Sequence, residues 1–279
     1  MELKAISENR LFNGTQTVFS HYSEVCRCDM TFGLFLPSEV LEKTVPLIWF
    51  LSGLTCTHEN AMTKAGAQQW ASANQLAIIF PDTSPRGKHV VDDSSYDLGQ
   101  GAGFYLDAQI VPWKKNFNME SYIVRELPEI LFSNFKLDSK RQGITGHSMG
   151  GLGALNFALK NPKVFKSASA FSPIANPVES PWGQKQFEAY LGPDQKDWNY
   201  YDPSILMKEL GGHHKFLIDQ GTNDDFINLL RPHSLSLQFE NESKLGKFRY
   251  QEGYDHSYFF VSTFIKDHIF YHAEQLKTN

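Results

Sequence analysis

The sequence predicts an α/β fold: a mostly parallel central sheet with an antiparallel N-terminal part and helices on both faces. Three observations lead there. After Pro46, short apolar runs alternate with amphipathic stretches, the pattern of βαβ units whose strands are covered on both faces. Before Pro46 the chain alternates residue by residue, with Met30, Phe32, Leu34 and Leu36 set against Thr31, Gly33 and Phe35, the period of a strand. The 279 residues are 14% aromatic and only 20% charged, which supplies a sizeable core and excludes disorder. A net charge of −5 also argues against a nucleic-acid binder, which carries a basic excess.

Taken in order, Asn13-Gly14 signals a two-residue hairpin turn. Strands are expected at 47–51, 76–80, 142–145, 168–171, 216–218 and 248–251. Helices are expected at 63–74, 119–132, 149–159, 227–240 and 258–276. Residues 172–201 break the rhythm with Pro173, Pro177, Pro181 and Pro193 and six aromatics; they are expected to pass over the top of the sheet without regular structure. There is no repeat or linker, so residues 1–279 read as one domain. The first ten residues lack the apolar core of a secretory signal, and no apolar run approaches a membrane span. Cys26, Cys28 and Cys56 are an odd number and a poor disulfide framework. A cytoplasmic protein without membrane partners is expected.

The sharpest chemical signal is Gly146-His147-Ser148-Met149-Gly150. By itself G-x-S-x-G arises by chance in about one chain in ten of this length. Here it lies between an expected strand and an expected helix, the setting of a nucleophile elbow. Glycines at 146 and 150 suit a turn too tight for side chains, whereas the plainer reading is an ordinary N-cap serine. A serine hydroxyl needs a base to become a nucleophile, and in α/β-hydrolases the acid and then the histidine follow the serine. Of the six later histidines, His268 and His272 are spaced i, i+4 in the last helix and are expected on its surface. His213 and His214 precede a strand, and His233 follows Pro232 in a helix. His256, in a loop after the last strand, is the expected base. The acid should follow the preceding strand, in Asp219-Gln220-Gly221-Thr222-Asn223-Asp224-Asp225-Phe226; spacing does not separate Asp224 from Asp225. Asp255 is disfavoured because neighbouring side chains on a sharp loop diverge. The oxyanion hole would take the N–H groups of Met149 and, from the loop 51–56, Leu54. Cys56 would then lie beside the site.

Other signals fade. His58-Glu59 begins an H-E-x-x-H whose last position is Met62. The run Gly99-Gln100-Gly101-Ala102-Gly103 opens no helix, and Cys26 and Cys28, on one face of a strand, lack a second ligand pair for zinc.

The chain resembles the S-formylglutathione hydrolases, the esterase D family, over nearly its whole length. The blocks that carry the resemblance include Leu51-Ser52-Gly53-Leu54-Thr55-Cys56-Thr57, Lys64-Ala65-Gly66-Ala67-Gln68, Pro81-Asp82-Thr83-Ser84-Pro85-Arg86-Gly87, Gly146-His147-Ser148-Met149-Gly150-Gly151 and Gly253-Tyr254-Asp255-His256-Ser257-Tyr258. The resemblance implies an α/β-hydrolase fold, hydrolysis of S-formylglutathione to formate and glutathione in formaldehyde detoxification, no cofactor, and a cytoplasmic homodimer. The family pattern Asp-Gln-Gly-x-x-Asp-x-Phe puts the catalytic acid on Asp224. It also implies Ser148 as nucleophile, His256 as base, Leu54 and Met149 as oxyanion amides, and Trp182 narrowing the acyl side of the pocket. Departures stand at His58, Ala61-Met62 and Tyr96, near the mouth, where they bear on substrate breadth. Lys64 and Arg86 are the cations considered for an anionic glutathione. A broad short-acyl carboxylesterase, and more distantly an acyltransferase or a binding protein on the same fold, are the alternatives.

Overall fold

The structure is a computed structural model that describes residues 3–211, 215–241 and 245–277. Nine strands, β1 (Lys4–Arg10), β2 (Gly14–Ser23), β3 (Cys28–Pro37), β4 (Val45–Leu51), β5 (Ala77–Pro81), β6 (Leu137–Gly146), β7 (Phe165–Phe171), β8 (Phe216–Gly221) and β9 (Gly246–Gln251), form one sheet in the order β1-β2-β3-β5-β4-β6-β7-β8-β9. The pairs β1/β2, β2/β3 and β3/β5 are antiparallel. From β5 through β4 to β9 every pair is parallel, so the expected change of character after Pro46 is present.

The helices are α1 (His58–Lys64), α2 (Ala67–Ala73), α3 (Met119–Ser121), α4 (Leu127–Asn134), α5 (Met149–Lys160), α6 (Pro181–Leu191), α7 (Gln195–Asn199), α8 (Pro203–Leu210), α9 (Ile227–Leu230), α10 (His233–Asn241) and α11 (Tyr258–Gln275). Strand β4 shows why its apolar run is continuous. Ile48 and Phe50 face the layer of α1, α2 and α11, while Leu47, Trp49 and Leu51 face the layer that holds α4 and α5. A strand covered on both sides has no polar face to keep. Among the described residues no helix is long and apolar enough to cross a membrane.

Several expectations are corrected. The hairpin turn occupies residues 11–13, with Phe12 in the left-handed region (φ 51°) and Gly14 already opening β2. The helix expected at 63–74 starts earlier and breaks. Thr57 caps α1, its Oγ1 accepting the Glu59 N–H at 3.2 Å while Asn60 Oδ1 accepts the Thr57 N–H at 3.0 Å. Gly66, at φ 69°, then takes a conformation that suits glycine and divides α1 from α2. The helix expected at 227–240 divides into α9 and α10 at Arg231 (φ 54°), just before Pro232. The stretch 172–201 is more regular than expected, because two of its prolines open helical turns: Pro177 begins a 3₁₀ turn and Pro181 begins α6. Cys26 lies in the turn before β3 and does not share a strand face with Cys28.

His268 and His272, expected on the surface of α11, are fully buried. His268 Nε2 lies 3.2 Å from Asp219 Oδ2 and its ring stacks on Phe171 at 3.7 Å. The two nitrogens of His272 pair with Ser167 Oγ (2.7 Å) and Ser169 Oγ (2.9 Å). Helix α11 thus turns its histidines toward hydroxyls and a carboxylate on the strands beneath it. Burial, and then the charge on His268, push the His272 pKa down to about 3 from the ordinary 6.5. Between those values the unfolded chain binds one proton more than the folded chain. The associated stability is therefore complete above about pH 6.5 and is lost as the pH falls toward 3, at up to about 1.4 kcal/mol per pH unit. Thermal unfolding midpoints are expected to drop through this acid range, and His272→Gln should flatten the drop; an unchanged slope in the variant would refute the linkage.

Candidate active site

Strand β6 ends at Gly146 and α5 starts at Met149, leaving His147 and Ser148 to make the whole turn. Ser148 adopts φ 59°, ψ −120°, a strained conformation that costs on the order of 1–3 kcal/mol and persists only where its surroundings enforce it. Three hydrogen bonds do so: Ser148 N–H to Phe171 O (2.9 Å), His147 N–H to Leu51 O (3.0 Å) and Gly150 N–H to His147 O (2.8 Å). A Cβ on Gly146 would lie 2.2 Å from Gly150 O, and one on Gly150 would lie 2.0 Å from Leu51 O. The spacing of glycines about the serine is therefore a steric requirement. Ser148 makes no side-chain capping bond, unlike an ordinary N-cap serine.

Met149 is the first residue of α5, so its N–H is among those a helix leaves without an internal partner. The loop after β4 comes up against the elbow: a Cβ on Gly53 would sit 3.2 Å from Ser148 Cβ. Leu54 and Ser148 line the same cavity. The loop is held from behind. Thr55 N–H donates to Gly101 O (2.9 Å), Tyr105 Oη donates to Ser52 O (2.9 Å), and Arg86 Nη2 donates to Cys56 O (2.8 Å). The glycine-rich run at 99–103 thus serves as a brace for this loop. Arg86, considered as an anion-binding cation, is instead committed to Asp82 (3.0 Å) and to that carbonyl. Lys64 is exposed in the last turn of α1.

His256 Nδ1 lies 2.7 Å from Asp224 Oδ2. With a carboxylate as partner, Nδ1 carries the hydrogen and Nε2 is left as the acceptor in the neutral ring. Asp224 is buried, its Oδ1 accepting the Phe226 N–H at 2.8 Å. Burial pushes its carboxyl pKa up, but the hydrogen bond and charge of His256, followed by the Phe226 N–H, outweigh it and hold the group below the usual carboxylate value. The His147 ring packs at 4.6 Å from the His256 ring; burial, and then the charge on His256, hold His147 well below the usual imidazole value, so it stays neutral. The other aspartates are engaged elsewhere. Asp225 is exposed, Asp255 Oδ1 accepts the Ser257 N–H and Oγ–H at the start of α11, and Asp219 is paired with Arg249 and His268. Of the other histidines, His233 opens α10, and His213 and His214 lie outside the described residues.

Ser148, His256, Leu54, Cys56 and Trp182 line one cavity of about 330 Å³, together with Tyr96, Phe226, Leu230 and Tyr258. No Lys, Arg, Asp or Glu is among the described lining residues. Trp182 comes from α6, in the stretch over the sheet, and its Nε1–H donates to Asp97 Oδ2 at 2.8 Å. Asp97 also takes Lys185 Nζ (2.6 Å) and Gln186 Nε2 (2.8 Å). That acidic anchor carries no signal in the sequence, since Trp182, Lys185 and Gln186 lie 85 or more positions away. Burial pushes the Cys56 thiol pKa up, which disfavours the reactive thiolate. Among the described residues, no cluster of His, Cys, Asp and Glu could hold a metal ion.

The sheet, the strained elbow and the histidine–carboxylate pair define an α/β-hydrolase, and the family model Esterase matches residues 23–271, so the chain is a hydrolase of the esterase type. It is 55% identical over 273 residues to S-formylglutathione hydrolase of Paracoccus denitrificans (strain Pd 1222), covering 98% of each chain. To the S-formylglutathione hydrolase of Rattus norvegicus it is 48% identical over 281 residues, covering 99% of each. The solved structure of an S-formylglutathione hydrolase from Agrobacterium tumefaciens matches with a TM-score of 0.95 at 44% identity, covering 98% of this chain and 99% of that one. The chain belongs to the S-formylglutathione hydrolase family.

Proposed function

We propose that the chain hydrolyses S-formylglutathione to formate and glutathione through a Ser148–His256–Asp224 triad and a formyl-enzyme, a reaction of formaldehyde detoxification. The observation that carries this reading is the 2.7 Å bond between Asp224 and His256, which lines one cavity with Ser148 at its strained turn. His256 Nε2 takes the Ser148 proton as Oγ attacks the formyl carbon. The oxyanion that forms is held by the Leu54 N–H from the loop after β4 and the Met149 N–H at the head of α5, where the helix dipole also favours negative charge. Collapse breaks the C–S bond, and the imidazolium proton leaves with glutathione. Water then gives its proton to His256 and attacks the formyl-enzyme, releasing formate and restoring Ser148. Asp224 keeps the imidazole in the productive tautomer and stabilises the imidazolium. Trp182, fixed by Asp97, closes the acyl side and favours a one-carbon group. The stretch at 172–201 roofs the cavity within a single domain. The same reading takes the protein to be a cytoplasmic homodimer, which light scattering would check as a mass about twice that of the chain.

One observation favours a second reading, a broad short-acyl carboxylesterase: among the described residues, no Lys or Arg lines the cavity to select the anionic leaving group. Comparing kcat/KM for S-formylglutathione with that for 4-nitrophenyl acetate separates the two, because the ratio measures differential transition-state binding. A ratio strongly in favour of the thioester is expected. Parity, or preference for the acetate ester, would favour the carboxylesterase.

A further inference from the structure

We propose that Gln220 is a positioning residue of this site, its side-chain amide fixing the Asp224 carboxylate through the same oxygen that holds His256. The inference rests on the triad reading above and extends it by one residue. Gln220 is the penultimate residue of β8 and is fully buried. Its Nε2 donates to Asp224 Oδ2 at 3.0 Å and to Gly221 O at 3.1 Å. Both partners are acceptors, so the orientation of the amide follows from the network. The other end, Oε1, is buried without a hydrogen-bond partner.

That orphaned oxygen is informative. A buried unsatisfied carbonyl is destabilising, and an apolar side chain would serve packing better. Residues that break such a rule collect at functional sites. The pleat of β8 sends neighbouring side chains to opposite faces. Asp219 accordingly meets Arg249 and His268 on the α11 side, while Gln220 reaches Asp224.

With Phe226 N–H on Oδ1 and both Gln220 and His256 on Oδ2, each oxygen of Asp224 is fixed. The carboxylate cannot swing when the imidazole becomes an imidazolium, and the Nδ1–H bond stays aligned. Gln220 donation also draws charge from Oδ2, moderating how strongly Asp224 stabilises the protonated ring. Gln220 touches Asp224 and not the reacting atoms.

The test is a pair of substitutions, Gln220→Met and Gln220→Glu, followed with 4-nitrophenyl acetate across the neutral pH range, with thermal unfolding as the check on folding. Met keeps the volume and removes both donors; Glu keeps the shape and, holding its proton, one donor. Losing a hydrogen bond to a buried carboxylate is expected to lower kcat roughly tenfold with KM unchanged. The acid limb of kcat/KM should move to higher pH in Met, where Asp224 keeps more of its negative charge, and stay near that of the wild type in Glu, whose carboxyl, buried against Asp224, keeps its proton and still donates to Oδ2. His147 from the elbow and Asp255 from the His256 loop also face this pair electrostatically and are the same in all three proteins. An acid limb unmoved in Met, or moved alike in Met and Glu, overturns the proposal, whatever happens to kcat, since Gln220 would then only pack. If Met fails to fold, Gln220→Leu takes its place in the comparison. S-formylglutathione is run alongside. A wild type that cleaves the acetate ester but not the thioester counts against the substrate reading alone; one that cleaves neither removes the triad and this proposal together.

Discussion

Replacing Ser148 by alanine is expected to lower kcat for 4-nitrophenyl acetate by roughly 10⁶-fold while the protein stays folded, as in other serine hydrolases whose nucleophile is removed. That corresponds to about 8 kcal/mol of transition-state stabilisation. The residual rate should still exceed the uncatalysed one by about 10³–10⁴, from the oxyanion donors and binding. The folded state should not suffer. The elbow is held by backbone bonds to Phe171, Leu51 and His147 and by the glycines at 146 and 150, none of which involves the hydroxyl. Thermal unfolding beside the kinetics checks both halves. Retained turnover in a folded variant would assign the chemistry to another group.

The second large effect is expected for Asp224→Asn, where kcat should fall by about 10⁴ with the fold intact. Phe226 N–H donates to Oδ1, so an asparagine keeps its carbonyl oxygen there and turns its NH₂ toward His256 and Gln220. Donor then faces donor at both. The imidazole is driven to the tautomer with its hydrogen on Nε2, which cannot accept the Ser148 proton. Steady-state kinetics with the acetate ester measures this. A loss of less than about tenfold would mean that the carboxylate does not set the tautomer.

What could be read from the sequence was local. The elbow is legible because its two glycines and its strand–turn–helix setting lie within a few residues, and the steric reason acts over the same distance. Strands β4 and β5 are legible because burial on both faces leaves unbroken apolar runs, whereas the edge strand β9 keeps Lys247 and Arg249 among its apolar residues and is only partly buried. His268 and His272 are illegible for the opposite reason: on α11 they look like a polar surface pair, and their partners, Asp219, Ser167 and Ser169, stand 49 to 105 positions away on the strands. The choice between Asp224 and Asp225 was open from spacing and came from the resemblance. In the fold one of the two is buried against His256 while its neighbour faces solvent. Nothing in the sequence pointed to Asp97 as the anchor of Trp182, nor to Gly101 as the support of Thr55, because a lone acid or glycine carries no signal until distant segments meet it.

Hydrolysis of S-formylglutathione, followed by the loss of thioester absorbance with the wild type and the Ser148→Ala protein side by side, tests the central claim most directly. Fast turnover by the wild type and almost none by the variant is the predicted result. Slow thioester turnover beside brisk cleavage of 4-nitrophenyl acetate would contradict the assigned substrate, and undiminished thioester cleavage by the variant would contradict the nucleophile.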